Sequence, residues 1–507
     1  MKTKFYFPSF LFAFALFFTT VSSAQTLGVR AFKETTPYIQ EFHKIAKTSD
    51  GGIIGVGPNG YWGRVTKMNA SLVQQWSLGI DSIALLDVVE TNDGNYVLMG
   101  LAITTNYYNA VYIIKVNPSG TLLFEKMFSS GPMNQFTADG ICKAAGSDSG
   151  FVFFGGNCSA MHYLIKCDKN GNVVWERQHV GYGNGTYVAM IAENNGYVGE
   201  LNYLGAHSDV GIAKMDVNGN LLWDKIYDAP VSVGVLHNSL TEKANGDYLI
   251  CTQPNDSSGV QDYLIDNSGN TVTCKRHIIT GSIAWEPTNV FATGNANDEL
   301  LLLGLLSPGL GTYMKLSATD AIVYDKQYTL STSYFNNAVS MGAGVYALGG
   351  STGSNGKIVA LIDENGGGVC NTTNLNFATS SVNLTTTTVA ITNVTVNELI
   401  AVGNFSLYPV SQTQTNLCGT LDVNSVADNN SGIDIYPNPT NEKITVTANN
   451  ETIRGIKIMN AVGQVCFHAE EINAEETTID MKDLESGIYF LQIDNGKGTT
   501  VKKIIKR

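Results

Sequence analysis

The chain has 507 residues, 44% of them apolar and 15% charged, which is long for one small domain and too apolar for wholesale disorder. Thirty-one Lys and Arg stand against 44 Asp and Glu, a net charge of −13 with no basic block, which argues against binding nucleic acid. Fifty-two Gly against 12 Pro suit a chain of many tight turns, not a collagen or a Pro-rich linker.

At the N-terminus, Lys2 and Lys4 precede an apolar run from Phe5 to Val21, followed by Ser22-Ser23-Ala24. This order of charge, apolar stretch and small residues predicts a signal peptide over 1–24, cut between Ala24 and Gln25. No later run is long and apolar enough to span a bilayer, so no transmembrane segment is expected in the mature chain. Export takes the eight cysteines into an oxidising compartment. Cys370 and Cys418 bracket a Thr/Asn-rich stretch and are the candidate disulfide. The others are expected to pack as small apolar groups. The absence of any C-x-x-C pair leaves a zinc or redox site without support.

Over residues 25–370 a unit of about fifty residues recurs. Each unit reads as four short strands with an Asx/Gly turn after the first and another after the third. The later turn is written Asn117-Pro118-Ser119-Gly120, Asp168-Lys169-Asn170-Gly171, Asp216-Val217-Asn218-Gly219, Asp266-Asn267-Ser268-Gly269 and Asp363-Glu364-Asn365-Gly366, with degenerate copies from Asn69 and Ser317. Asx side chains bond the backbone of such turns and Gly accepts the positive φ they need. Strands rich in β-branched and aromatic residues, such as Tyr96-Val97-Leu98-Met99, lie between them. Seven copies of four strands predict an all-β, seven-bladed propeller. The last copy lacks the aromatic-charged ending of Trp175-Glu176-Arg177, which occurs instead at Phe32-Lys33-Glu34. Val29–Thr35 is therefore expected as the outer strand of the seventh blade, removing an open edge. The alternative is that residues after Cys370 complete it.

The fragments Lys166–Trp175 and Lys214–Trp223 resemble the tryptophan-docking repeat of quinoprotein-type and kelch-like propellers. That resemblance implies a fold in which each Trp packs between blades. It implies no cofactor, and none is expected. The Asp-x-Asn-Gly turns lack the EF-hand spacing, so no metal site is expected from them.

From 371 to 432 the chain is rich in Thr, Asn and Ser and reads as an irregular β annex and linker. Residues 433–507 return to short alternating strands, which predict a small antiparallel, Ig-like β-sandwich. Here Ile435-Tyr436-Pro437-Asn438-Pro439, Asn460-Ala461-Val462-Gly463-Gln464, Leu484-Glu485-Ser486-Gly487-Ile488-Tyr489-Phe490 and the terminal Lys502-Lys503-Ile504-Ile505-Lys506-Arg507 follow in order. This module resembles the type A C-terminal sorting domain of proteins exported by the type IX secretion system of Gram-negative bacteria. The resemblance implies passage through the periplasm, recognition of the tail by that machinery, and release from or attachment to the outer cell surface. It places the sorting signal at Tyr436, Pro437, Asn438, Pro439, Gly463, Gly487, Tyr489, Lys502 and Lys503. Taken one by one, the prolines start a strand, Gly463 and Gly487 serve turns, and the lysines protect an edge.

No His-Glu-x-x-His pair or phosphate-cradling loop is present, and no catalytic residue is named. His43, His162, His179, His207, His237 and His277 are scattered over the blades. The first and third connections of each blade share one face and are uniform turns. Loops on the other face vary in length and hold Tyr61, Trp62, Tyr107, Tyr108, Tyr182, Tyr203, Trp285, Tyr334 and Phe335. Variable aromatic loops on a rigid scaffold are suited to contacting a glycan or a protein. The leading expectation is a secreted or surface-attached binding or adhesion propeller. The alternative is an extracellular enzyme with its active site on that face or at the axis.

Overall fold

A computed structural model gives the architecture, describing residues 27–507 apart from 35–39, 60–61, 103–109, 130–136, 158–160, 181–185, 205–207, 228–232, 236–239, 244, 255–258, 279–284, 293–298, 307–309, 318–320, 329–333, 353–355, 371, 376–391, 395–398, 403–406, 418–432, 449–451, 461–464, 471 and 495–498. The expected signal peptide and its cleavage site at Ala24 and Gln25 lie outside the described residues. The chain divides into two units, 1–418 and 419–507.

The first unit is a seven-bladed β-propeller. Blade 1 comprises Lys44–Lys47, Ile53–Asn59, Trp62–Met68 and Gln74–Asp81, and blade 2 Ile83–Glu90, Tyr96–Ala102, Val111–Val116 and Leu122–Ser129. Blade 3 runs from Gly140–Lys143 to Val173–Val180, and blade 4 from Thr186–Ala192 to Leu221–Tyr227. In blade 5, Val233–Val235 and Thr241–Glu242 share the inner edge of a sheet ending at Thr271–Ile278. Blade 6 runs from Trp285–Ala292 to Ile322–Tyr328. Blade 7 takes Tyr334–Gly342, Val345–Thr352 and Gly356–Asp363, and its fourth strand is Gly28–Lys33, antiparallel to Gly356–Asp363. The N-terminal strand therefore closes the ring, and the inner strand of blade 7 packs on that of blade 1.

The described parts of 372–416 join the propeller. Five short strands in this stretch add to the outer edges of blades: Thr372–Asn374 to blade 6, Thr392–Val394 to blade 3, Leu399–Val402 to blade 2, Leu407–Pro409 to blade 1 and Thr413–Asn416 to blade 7. Gly28–Lys33 is consequently not the outermost strand of its blade, because Thr413–Asn416 lies beyond it. Both expectations for completing that blade were partly met. An outer strand leaves one row of backbone groups unpaired, and the belt satisfies them.

One apolar cluster fills each of the seven gaps between neighbouring blades. The repeat supplies the fit. An outer-strand aromatic of one blade lies on the turn glycine of the next: Trp76 on Gly120, Phe124 on Gly171, Trp175 on Gly219, Trp223 on Gly269 and Tyr324 on Gly366. Trp76 and Trp175 also donate their indole N–H to the same turns, at Pro118 O and Val217 O. These glycines are required twice. Gly219 has φ +73°, and a Cβ there would sit 2.8 Å from the Trp175 ring. Gly219→Ala is expected to cost about 1–3 kcal/mol, from overpacking together with the unfavourable φ, read as a lower denaturant midpoint at unchanged m-value.

Five blades also share a lysine, buried in three of them and partly buried in two, two residues before the later turn and bridged to an acid at the first turn. The pairs are Lys67–Asp50, Lys115–Asp93, Lys166–Asp148, Lys214–Glu193 and Lys315–Glu299. Lys115 and Lys315 reach on to carbonyls of the following blade, Lys169 O and Glu364 O. Burial would raise Asp93, but bonds from Lys115, Thr91 and Asn95 bring it down to about 2. This face of the ring is thus occupied in holding blades together.

The second unit has two antiparallel sheets. One holds Ile433–Tyr436, Lys443–Ala448 and Glu476–Asp480; the other holds Val465–Ala469, Gly455–Asn460, Gly487–Asp494 and Thr499–Lys506 in that order. Their facing residues, among them Ile444, Val446, Ile456, Ile458, Leu491 and Ile493, form one core.

Candidate functional site

Tyr61, Tyr107, Tyr108 and Tyr182 lie outside the described residues. Tyr203 lies near the end of Gly196–Leu204 and Trp285 opens Trp285–Ala292. Phe335 is a correction to the expected ligand face. It is fully buried, with its ring against Tyr313 and Tyr328, because its strand position points it into the gap between blades 6 and 7. Trp62 is half-buried, with the Arg64 guanidinium 5.9 Å from its ring centroid. Tyr334 is half-buried and donates its hydroxyl to Glu41 at 2.6 Å.

Where blades 7 and 1 meet, the sequence brings together residues that motif reasoning did not single out. Glu34, from the end of the closing strand, accepts from Arg64 Nε at 2.7 Å, Asn59 Nδ2 at 2.8 Å and Gln412 Nε2 at 2.9 Å, and lies 3.7 Å from Lys357 Nζ. Glu34, Arg64 and Lys357 are all buried. Burial alone would raise the carboxyl, but Lys357, Arg64 and Gln412 hold it below its ordinary range. Lys357 is wholly buried and shares that carboxylate with Arg64, so burial brings it down to about 8. Arg64 continues the network to Tyr408 of the belt, whose hydroxyl donates to Asp81.

Beside this network, on the inner rim, Glu41 bonds Tyr334 and lies 3.8 Å from His43 Nδ1. His43 is about half exposed. The His43 bond holds Glu41 below the usual carboxylate range, against its burial. Other polar groups on the inner strands serve the ring. Asp87 accepts from Val88 N–H and from Ile141 N–H of the next blade, Asn289 donates to Asn336 O, and Asn337 donates to Phe42 O across the closure. Burial pushes the Asp87 carboxyl up, against Lys44 and the two backbone bonds. Among the described residues no group of three His, Cys, Asp or Glu is placed to hold a metal ion.

In the tail, the first and last motifs are joined. The Asn438 amide donates to Lys503 O at 2.7 Å and accepts from Ile505 N–H at 2.9 Å, extending the hydrogen-bond ladder along the free side of the C-terminal strand. Thr440 continues this, bonding Ile505 O and the Arg507 N–H. The Tyr436–Pro437 and Asn438–Pro439 peptides are both cis. Pro437 and Pro439 flank Asn438, and Tyr436 is half exposed. Tyr489 is buried and donates to Glu485 O. Lys502 alternates with Lys503, sharing a strand face with core residue Ile504, while Lys503 and Ile505 are exposed. Gly487 does not serve a turn; it opens a strand, paired with Lys506, with room for a side chain. Gly463 lies outside the described residues. On the outer sheet face a cavity of about 390 Å³ is lined by Lys457, His468, Glu470 and Gln492 among others.

The two ends of this module are therefore one structural feature, and its sequence places it. Residues 434–507 match the family of secretion system C-terminal sorting domains. The recognition of the tail as a type IX sorting domain stands, and it implies export to the cell surface or beyond. No helix among the described residues is long and apolar enough to cross a membrane, which says nothing of strands. No curated protein matches the chain. Solved structures similar to it include a protein of unknown function from Bacteroides caccae, at 9% identity and TM-score 0.32, covering 69% of this chain and 94% of that one. Semaphorin 1a domains 1–2 from Drosophila align at 6% identity and TM-score 0.43, covering 66% and 88%. The WD40 domain of SCAP from fission yeast aligns at 12% and 0.36, covering 66% and 98%.

Beyond the sorting domain, Cys370 is disulfide-bonded, and its sulfur lies 3.4 Å from Leu417 O. Cys142, Cys167, Cys251 and Cys274 are buried free thiols, and Cys466 is exposed. Cys418 itself lies outside the described residues.

Proposed function

We propose that the signal peptide and sorting domain carry this chain through the periplasm and the type IX machinery, and that its propeller then binds a glycan or a protein outside the cell. The observation that carries this reading is the difference between the two faces of the ring. The face of the Asx/Gly turns is consumed by lysine–acid bridges and aromatic–glycine docking between blades. On the other face, the chain passes from Asn59 to Trp62 in blade 1 but from Ala102 to Val111 in blade 2. Such variation on a rigid frame suits recognition, and Tyr107, Tyr108 and Trp285 belong to it. Trp62 and Phe335 are better read as packing residues.

A glycan array probed with residues 25–418 is expected to show binding that Trp285→Ala or Tyr107→Ala/Tyr108→Ala weakens at least tenfold. Binding unchanged in both variants would remove the aromatic face from the proposal. A second reading, an extracellular enzyme, is favoured by Glu41 joining Tyr334 and half-exposed His43 at the rim. Turnover of a bound glycan that Glu41→Gln abolishes would select it.

A further inference from the structure

We propose that Pro437-Asn438-Pro439 is an edge cap: it occupies the free edge of the terminal strand Thr499–Lys506 and so keeps a second copy of this chain from pairing with it. Among the described residues the tail has four sheet edges, and three protect themselves. Ile433–Tyr436 is four residues long, Glu476–Asp480 is five, and Val465–Ala469 is five with a bulge opposite Ile458 and Met459. Short and bulged edges are poor templates for another strand. The terminal strand is eight residues long and pairs regularly along Gly487–Asp494, with exposed Ile505 opposite exposed Ile488. It is the one edge of the four that would recruit a partner.

Backbone groups of a strand point alternately to its two sides, so the free edge presents Lys503 O, Ile505 N–H and O, and Arg507 N–H. Each is taken. Asn438 Nδ2 donates to Lys503 O at 2.7 Å, and its Oδ1 accepts from Ile505 N–H at 2.9 Å. Thr440 N–H donates to Ile505 O at 2.9 Å, and Thr440 O accepts from Arg507 N–H at 2.8 Å. Each residue thus spans the carbonyl of one residue and the N–H two further on, as a residue of a parallel strand does. Asn438 does so with its side-chain amide, which carries donor and acceptor together like a peptide group. The prolines on either side have no N–H, so the cap offers no donor at those positions to a further strand. Thr440 anchors it, buried, with its hydroxyl donating to Lys443 O.

The same contact occurs a second time in this chain. At the start of the outer strand of blade 1, Gln414 Nε2 donates to Leu72 O at 2.6 Å and its Oε1 accepts from Gln74 N–H at 3.2 Å. There too one amide spans a carbonyl and the N–H two residues on. In the tail, Lys502, Lys503 and Lys506 add a second layer, since like charges keep copies of the strand apart.

Sedimentation of the full chain at about 0.5 M salt, where these lysines are screened, tests the cap. Wild type is expected monomeric and Asn438→Ala dimeric. In dilute, low-salt solution, hydrogen exchange at 503–507 is expected about tenfold faster in Asn438→Ala, with 210–216 unchanged. Adding Ile505→Pro to Asn438→Ala is expected to restore the monomer, because it removes the freed N–H without touching the pairing with Gly487–Asp494. Asn438→Asp keeps the acceptor and loses the donor; the same two changes are expected of it, so it serves if the alanine variant does not fold. Faster exchange without a dimer would overturn the proposal, as would unchanged exchange or a dimer that Ile505→Pro leaves intact. No arm reads export, so the sorting role stands or falls separately.

Discussion

Glu34→Ala is expected to destabilise the propeller by about 3–5 kcal/mol, because it leaves Arg64 and Lys357 buried without their carboxylate. The loss is much larger than an exposed pair would give. Arg64 is only 5% exposed and Lys357 is wholly buried, so water cannot screen them. Lys357→Met, which removes the second cation from a site with one carboxylate, is expected to be near neutral. Denaturant titration of the full chain checks both.

The pH dependence has two arms. Glu34 is held below its ordinary value of 4.5, so its contribution is present above about that pH and is lost as pH falls through the lower folded value. Lys357, ordinarily 10.5 and here about 8, gives a slope of the same sign in the alkaline range. Between these two values the unfolded chain holds more protons, so stability rises with pH there. Below about 8 both states are protonated and the penalty is constant. Lys357→Met should therefore abolish the alkaline rise and weaken the acid arm, which Arg64 and Gln412 still sustain. An unchanged alkaline profile would remove Lys357 as its source.

The second large effect concerns delivery. Removing residues 433–507 is expected to abolish export and leave a folded propeller in the periplasm. The tail has its own core, which shares no residue with the seven clusters of the ring. The truncated ring should retain its thermal transition, because its seven clusters include no residue of the tail. Cell fractionation followed by circular dichroism separates the two outcomes. Normal secretion of the truncated chain would show that the sorting domain is not the address.

What was legible in sequence followed from local rules repeated often. An Asx/Gly turn has the same chemistry wherever it occurs, and a spacing of about fifty residues made seven of them a ring. Even the closing strand could be read, because Phe32-Lys33-Glu34 repeats the ending missing from the last copy. Phe335 was misjudged because alternation in an inner strand assigns it to the gap between blades, which loop composition does not reveal. Its neighbour Tyr334 was only half readable: its aromatic character was visible, but not its bond to Glu41, 293 residues away.

The amino-acid sequence by itself determined the turns, the count of blades, the partner strand for the seventh and the sorting domain, since each rests on residues close together or on a periodic pattern. Tertiary structure alone decided the belt, the Glu34–Arg64–Lys357 seam and the Asn438 clamp on the terminal strand. Each of these joins short or single-residue elements across long stretches of chain. A three-residue Thr/Asn strand has no period of its own, and a buried carboxylate in sequence looks like an exposed one. Only the closed ring supplies the unpaired edge that the first must cover and the buried cations that the second must neutralise.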